Sequence, residues 1–248
     1  MTPILTLAFG VPAQIAVGTD LLFATITKSG GAFAYARRGQ IPWSIVLWLT
    51  LGSIPATILT LAVLHLWHPD AAQFAALVRP ALGLALLLTA GALLFRAQIQ
   101  SLGRRAAIGG ATLAVAGGSV GLPLTCDDTP SRRARTLAVG ALIGALVTVT
   151  SVGAGAIGVV ALFFLYPALP ARQLVGADIV HAVPLTLVAG LGHAALGTVD
   201  WSILLGLLIG SLPAIHIGAA MAGRLPERVL RTMLASMLLL VGGRLIWI

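Results

Sequence analysis

Charge is scarce in this chain. Asp, Glu, Lys and Arg together make up 9 % of its 248 residues, against about a quarter in a soluble domain. That scarcity excludes water as the main solvent. Cysteine is almost absent: the single Cys126 excludes an internal disulfide and is too isolated for a metal site. His65, His68 and Asp70 have the look of a metal trio, but they share a short loop with no fourth ligand, so neither a metal nor any other cofactor is expected. The five histidines are scattered, and no Walker sequence, HExxH or Gly-x-Ser-x-Gly element occurs. Without a clustered nucleophile and base, the chain does not read as an enzyme. Its opening, MTPILTLAFGVPAQ, lacks the basic n-region of a signal peptide and reads as mature protein.

Apolar length fills the space that charge leaves. Hydrophobic residues form 58 % of the chain, and residues 41–67, 74–95, 201–222 and 229–248 each offer the roughly 20 needed to cross hydrocarbon. The lipid bilayer is therefore the first partner. A net charge of +8 invites a nucleic-acid reading, but no basic stripe with interleaved aromatics exists. Most arginines instead sit at the ends of apolar runs, where they orient membrane proteins.

The chain repeats itself. PAQIAVGTDLLFA (12–24) aligns with PARQLVGADIVHA (170–182), and WSIVLWLTLGSIPA (43–56) with WSILLGLLIGSLPA (201–214), at one offset of 158 with 17 identities over 45 positions. Low complexity mimics matches of Leu and Ala, but not the aligned pairs Asp20/Asp178, Trp43/Trp201 and Pro55/Pro213. After an indel of 6 the match resumes between 77–88 and 229–240. Two membrane repeats, 1–95 and 137–248, are thus joined by a connecting loop, 96–136. Within that loop 106–124 is apolar but glycine-rich, and the repeat leaves no spanning helix for it to be.

Residues 137–167 pose the main structural question. Their centre, SVGAGAIG (151–158), interrupts an apolar run with glycines that cost about 1 kcal/mol each in a helix interior. One reading is a single helix with small residues for close packing; the other is two half-helices meeting at mid-membrane. Charge favours the second. A hairpin returning to its own side collects twelve arginines on one side, including the loop 96–136, and leaves two opposite, whereas a full span divides them nine to five. The positive-inside rule then makes that loop cytoplasmic. The expected fold is an all-α integral membrane protein of two repeats in inverted orientation. Each has about three spanning helices plus a broken or re-entrant hairpin. The first hairpin is expected to be incomplete, because the partner of 137–158 falls before Met1.

Three charges lie inside apolar segments, where a charge costs a few kcal/mol and usually faces a cavity or a partner. Lys28 sits mid-span near Thr25. To reach the headgroups it must snorkel about 13 Å, the length of nine helical residues; otherwise it is a fixed positive charge for an anion. Asp20 and Asp178 lie near helix starts and serve either as first-turn carboxylates or as proton carriers. His181, one turn from Asp178, makes a proton-relay pair with it. The turn containing Thr150, Ser151, Gly153 and Gly155 offers hydroxyls and half-helix N–H groups, an anion site without a full counter-charge.

VGTDLLFATITKSGGAFAYARRGQIPW, TSVGAGAIG, DIVHAVPLTLVAGLGHAALGTVDW and GSLPA, taken together, resemble the sulfite exporter family TauE/SafE, also called TSUP. The resemblance implies export of a small sulfur anion (sulfite, thiosulfate or an organosulfonate) across the bacterial inner membrane, coupled to protons. Ser151–Gly158 matches the family's glycine-rich motif, whose first copy usually precedes a Leu-Met-Thr-Pro-like stretch, and this chain begins at Met1-Thr2-Pro3. Two alternatives stay open: transport of another small organic anion, and a membrane assembly factor that transports nothing. A homodimer is likewise left open.

Overall fold

A computed structural model describes residues 1–37, 39, 41–67, 70–94, 130–152, 155–166, 169–222 and 227–247. The regular elements among the described residues are all helices, with no strand. In chain order the helices are α1 (Thr2–Leu7), α2 (Ala13–Arg37), α3 (Trp43–Trp67), α4 (Ala71–Leu94), α5 (Pro130–Thr150), α6 (Ala156–Leu165), α7 (Ala171–Ala195), α8 (Trp201–Ala222) and α9 (Glu227–Trp247). By length and composition α3, α5 and most of α4 and α7 can each cross a membrane. Most of the connecting loop, residues 95–129, lies outside the described residues.

The core is a polar seam wrapped in aliphatic side chains. Leu21, Ile45, Leu49, Leu82, Ile143, Leu162, Leu174 and Leu185 are almost wholly buried, and so are Thr19, Ser53, Thr57, Thr136, Thr148, Thr186 and His193. Large apolar side chains such as Leu59, Leu66, Ile209 and Leu240 point outward instead. An apolar exterior around a hydroxyl-lined interior suits a lipid surround, because the bilayer offers buried hydroxyls no water.

Two helix pairs set the geometry. The first joins α2 to α7 in antiparallel register. Thr25 Oγ1 donates to Thr186 Oγ1 at 3.0 Å, Gly18 meets His193, Gly190 meets Leu22, and Gly176 meets Tyr35. Residue numbers across this pair sum to about 211, so Lys28 stands level with residue 183. The second pair, α3 with α5, runs parallel. Gly140 lies against the Leu49 carbonyl, Gly144 against that of Ser53, and Gly52 against that of Leu137. Small residues one turn apart let these backbones touch, as in small-xxx-small membrane pairs.

The helical run at 137–167 is broken. α5 ends at Thr150 and α6 begins at Ala156. The chain also reverses there: Thr136 near the start of α5 hydrogen-bonds the Tyr166 hydroxyl just after α6 at 2.8 Å, and Gly158 lies beside Ile143. One element differs from expectation. α5 is 21 residues long, not a half-helix of about 14, because Pro130–Thr136 extend it upstream of its apolar part. Proline suits a first helical turn, where its missing N–H removes no bond.

These contacts bring residues 37, 39, 41–43, 130–136, 166 and 169–176 to one end of the bundle, with Arg37, Arg132, Arg133, Arg135 and Arg172. Arg37, Arg132 and Arg133 lie over the rings of Phe33, Tyr166 and Trp48. Arginine with aromatic residues is the usual composition of a membrane interface.

Candidate functional site

Asp20 and Asp178 occupy matching positions, each the eighth residue of its helix. At that depth neither caps the helix that carries it. Each faces the N-terminal turn of a short helix instead, where exposed N–H groups favour an anion. Asp20 Oδ2 accepts from the Met1 ammonium at 3.0 Å, the Thr2 N–H at 2.9 Å and the Thr2 hydroxyl at 2.7 Å. Asp178 lies against Gly158 in the first turn of α6, so closely that a Cβ there would collide with its carboxylate. Both of its oxygens are buried without a hydrogen-bond partner. The two carboxylates do not share a site: across the antiparallel pair Asp20 stands level with residue 191, about 20 Å from the level of Asp178 at 1.5 Å per residue.

His181 is completely buried. Its Nε2 and the Ser53 hydroxyl on α3 are 2.8 Å apart, while Nδ1 has no partner. Lys28 is half-buried on α2 and close enough for its charge to act on Asp178, Asp20 and His181. By the helix register its backbone is about 8 Å from the level of Asp178 and about 12 Å from that of Asp20.

The break itself is built by local chemistry. Ser151 holds φ at 57°, a left-handed conformation that costs a non-glycine residue roughly 1–2 kcal/mol. Thr150 Oγ1 sits 2.7 Å from the Leu146 carbonyl, 3.0 Å from that of Val152 and 3.2 Å from the Val152 nitrogen. Its hydroxyl is thus occupied in shaping the turn, as the Thr25 hydroxyl is in the α2–α7 crossing. The Ser151 hydroxyl is buried and has no partner. Gly155, at φ 135°, precedes α6, and no side chain caps that helix. Gly153 lies outside the described residues, as does His68.

Buried polar groups are almost always hydrogen-bonded, and each exception asks for an explanation. Among the described residues the exceptions are Ser151 Oγ, both oxygens of Asp178 and Nδ1 of His181. All three residues lie at the break or on the face of α7 beside it, with Lys28 in electrostatic reach of the latter two.

A sequence profile of the family described as sulfite exporter TauE/SafE matches residues 1–245. The chain belongs to that family. It is 33 % identical, over 99 % of its length and 90 % of the relative's, to "Probable membrane transporter protein YjnA" of Bacillus subtilis (strain 168). It is also 26 % identical, over 92 % of its length and 83 % of the relative's, to "Probable membrane transporter protein YdhB" of the same organism. No solved structure matches it. This TauE/SafE chain is therefore a multi-pass membrane transporter, as its sequence implied.

Two residues of the seam escape sequence reasoning. Ser53 carries no charge and looks like any helix serine; its one signal is the repeated Gly-Ser-x-Pro-Ala match at 52–56 and 210–214. Thr186 is visible only once α2 and α7 are known to cross. His193, one of the scattered histidines, lies between the Thr198 hydroxyl at 2.9 Å and the Thr148 carbonyl at 3.0 Å.

Proposed function

We infer that this transporter exports a small sulfur oxyanion (sulfite, thiosulfate or an organosulfonate) across the bacterial inner membrane, with proton coupling. The carrying observation is the set of unpartnered buried polar groups at and next to the break of the second hairpin, with the half-buried Lys28 in electrostatic reach of Asp178 and His181. An anion entering the membrane loses its hydration shell and needs replacement donors. Lys28, the Ser151 hydroxyl and the uncapped N-terminus of α6 supply one charge and several dipoles. A single ammonium suits transport better than an arginine clamp, because the anion must also leave. The same reading assigns Thr25, Thr150 and Gly155 to the site, and Gly153 on its sequence alone, since it lies outside the described residues. The sulfur comes from the family description, since the donors alone select for charge and size.

Asp178, His181 and, on its own level, Asp20 are the candidate proton-coupling groups of this reading. Because α2 and α7 are repeat equivalents packed antiparallel, the halves are related by a two-fold axis in the membrane plane, passing near residues 26–27 and 184–185. Alternating access then follows as a rocking of one repeat on the other. The arginine-rich end, with the loop 96–136, faces the cytoplasm.

The test is uptake of ³⁵S-labelled sulfite and thiosulfate into proteoliposomes under an imposed pH gradient, against labelled acetate and succinate. Gradient-driven movement of the sulfur anions with exclusion of carboxylates is the expected result. Equal transport of carboxylates would replace the substrate class, and indifference to the gradient would remove the proton.

A further inference from the structure

The two equivalent aspartates have unequal surroundings, and the inequality bears on how a proton and an anion are linked. Asp20 is saturated by the start of α1, with three donors on one oxygen. Asp178 has none on either oxygen. An ionised carboxylate in that position is supported by the α6 dipole and by the charge of Lys28.

We propose that the transported anion and the Asp178 carboxylate compete for Lys28, so that binding one anion obliges Asp178 to take up one proton. The inference rests on the reading of Lys28 and the hairpin break as the anion site. Without substrate, Lys28 and the α6 terminus balance the ionised carboxylate. When the anion occupies them, at least two negative charges face one ammonium in a medium of low dielectric, where like charges repel far more strongly than in water. A proton from solvent on the carboxylate relieves this, and the protonated acid gains an O–H to donate. Anion and proton then cross together, and net export follows when the outward anion gradient exceeds the inward proton gradient.

The other groups around Asp178 do not take this role. α3 presents the uncharged Ser53, and α6 has no titratable side chain. In α5, residues 136–150 have none either. On α2, Asp20 is distant and saturated, and Tyr35 packs at Gly176, two residues and about half a helical turn from Asp178. His181 is the rival on α7 itself. Protonating it adds a second cation beside Lys28, whereas protonating Asp178 removes the anion that competes.

The test uses the purified full chain in nanodiscs, with thiosulfate and methanesulfonate as probes, because both stay fully ionised near neutral pH. Calorimetric titration in two buffers of different ionisation enthalpy counts protons taken up per anion bound. Linkage requires about one proton per anion for the wild type. Asp178→Asn should reduce this to none while binding the anion as tightly or more tightly, with affinity flat against pH. Wild-type binding without proton uptake overturns the competition and leaves the anion site standing. Uptake retained in Asp178→Asn but lost in His181→Gln makes the imidazole the carrier and overturns it as well. Failure of the wild type to bind either anion at any pH removes the site, and the proposal with it. The wild-type count needs no variant, so misfolding of a mutant does not blunt the test.

Discussion

A buried carboxylate has unequal effects on stability according to its donors, and Asp20 and Asp178 form a matched comparison within one chain. Hydrogen bonds to a charged group contribute about 1.5–3 kcal/mol each, so Asp20→Asn should lower the unfolding temperature clearly. Asp178→Asn removes no hydrogen bond, only the balance of charge with the half-buried Lys28, and should lower that temperature less. Thermal unfolding of the two variants side by side reads the difference; equal losses would mean that Asp178 is structurally paired after all. Asp200, in the loop before α8, gives a second check. Its Oδ1 accepts from the Ser202 hydroxyl and from the Ser202 and Ile203 N–H groups. Chiefly the Ser202 hydroxyl, then the Ile203 N–H, hold its carboxyl below the usual range. A folded-state value below the unfolded one stabilises above the unfolded pKa, and that stabilisation fades as pH falls through the folded value. The unfolding temperatures of wild type and Asp200→Ala should therefore differ at neutral pH and converge in acid. At this scale the repeat made both aspartates legible in the sequence. Their inequality was not, because it depends on which donors α1 and α6 happen to bring.

Among the elements, the seam between α3 and α5 has a built-in control. Gly52 and Gly210 are equivalent by the repeat, yet a Cβ on Gly52 would strike the Leu137 carbonyl of α5, while one on Gly210 meets nothing within 4 Å. Overpacking a close helix contact costs typically 1–3 kcal/mol, whereas glycine to alanine in an open helix gains up to about 1 kcal/mol. Gly52→Ala should thus destabilise and Gly210→Ala should not, with thermal unfolding in detergent as the readout. If both are neutral, the α3–α5 backbones are not in contact. The break at 151–155 was readable from its glycines, and the return of α6 along α5 from the charge count. The full length of α5 was not readable, because residues 130–136 include three arginines and no apolar run. Helix propensity and a leading proline extend the element where hydropathy stops.

For the molecule as a whole, the question is the direction of the two-fold axis. Ser44 and Ser202 are equivalent residues, each the second of its helix and each exposed. An axis in the membrane plane puts them on opposite sides of the bilayer; an axis along the normal puts them on the same side. Contacts already separate them. Ile45 in α3 belongs to the buried cluster with Tyr166, Leu174 and Ala177, at the arginine-rich end. Beside Ser202, Asp200 donates its N–H to Thr19, and Thr198 packs on Gly18, at the far end of the α2–α7 pair. In a Cys126→Ser background, Ser202→Cys should react with a membrane-impermeant maleimide added to intact cells, and Ser44→Cys only after lysis. Modification of both from the same side would refute the inverted arrangement and with it the rocking cycle. Modification of Ser44→Cys alone in intact cells would keep the inversion but reverse the orientation, placing the twelve arginines outside against the positive-inside rule.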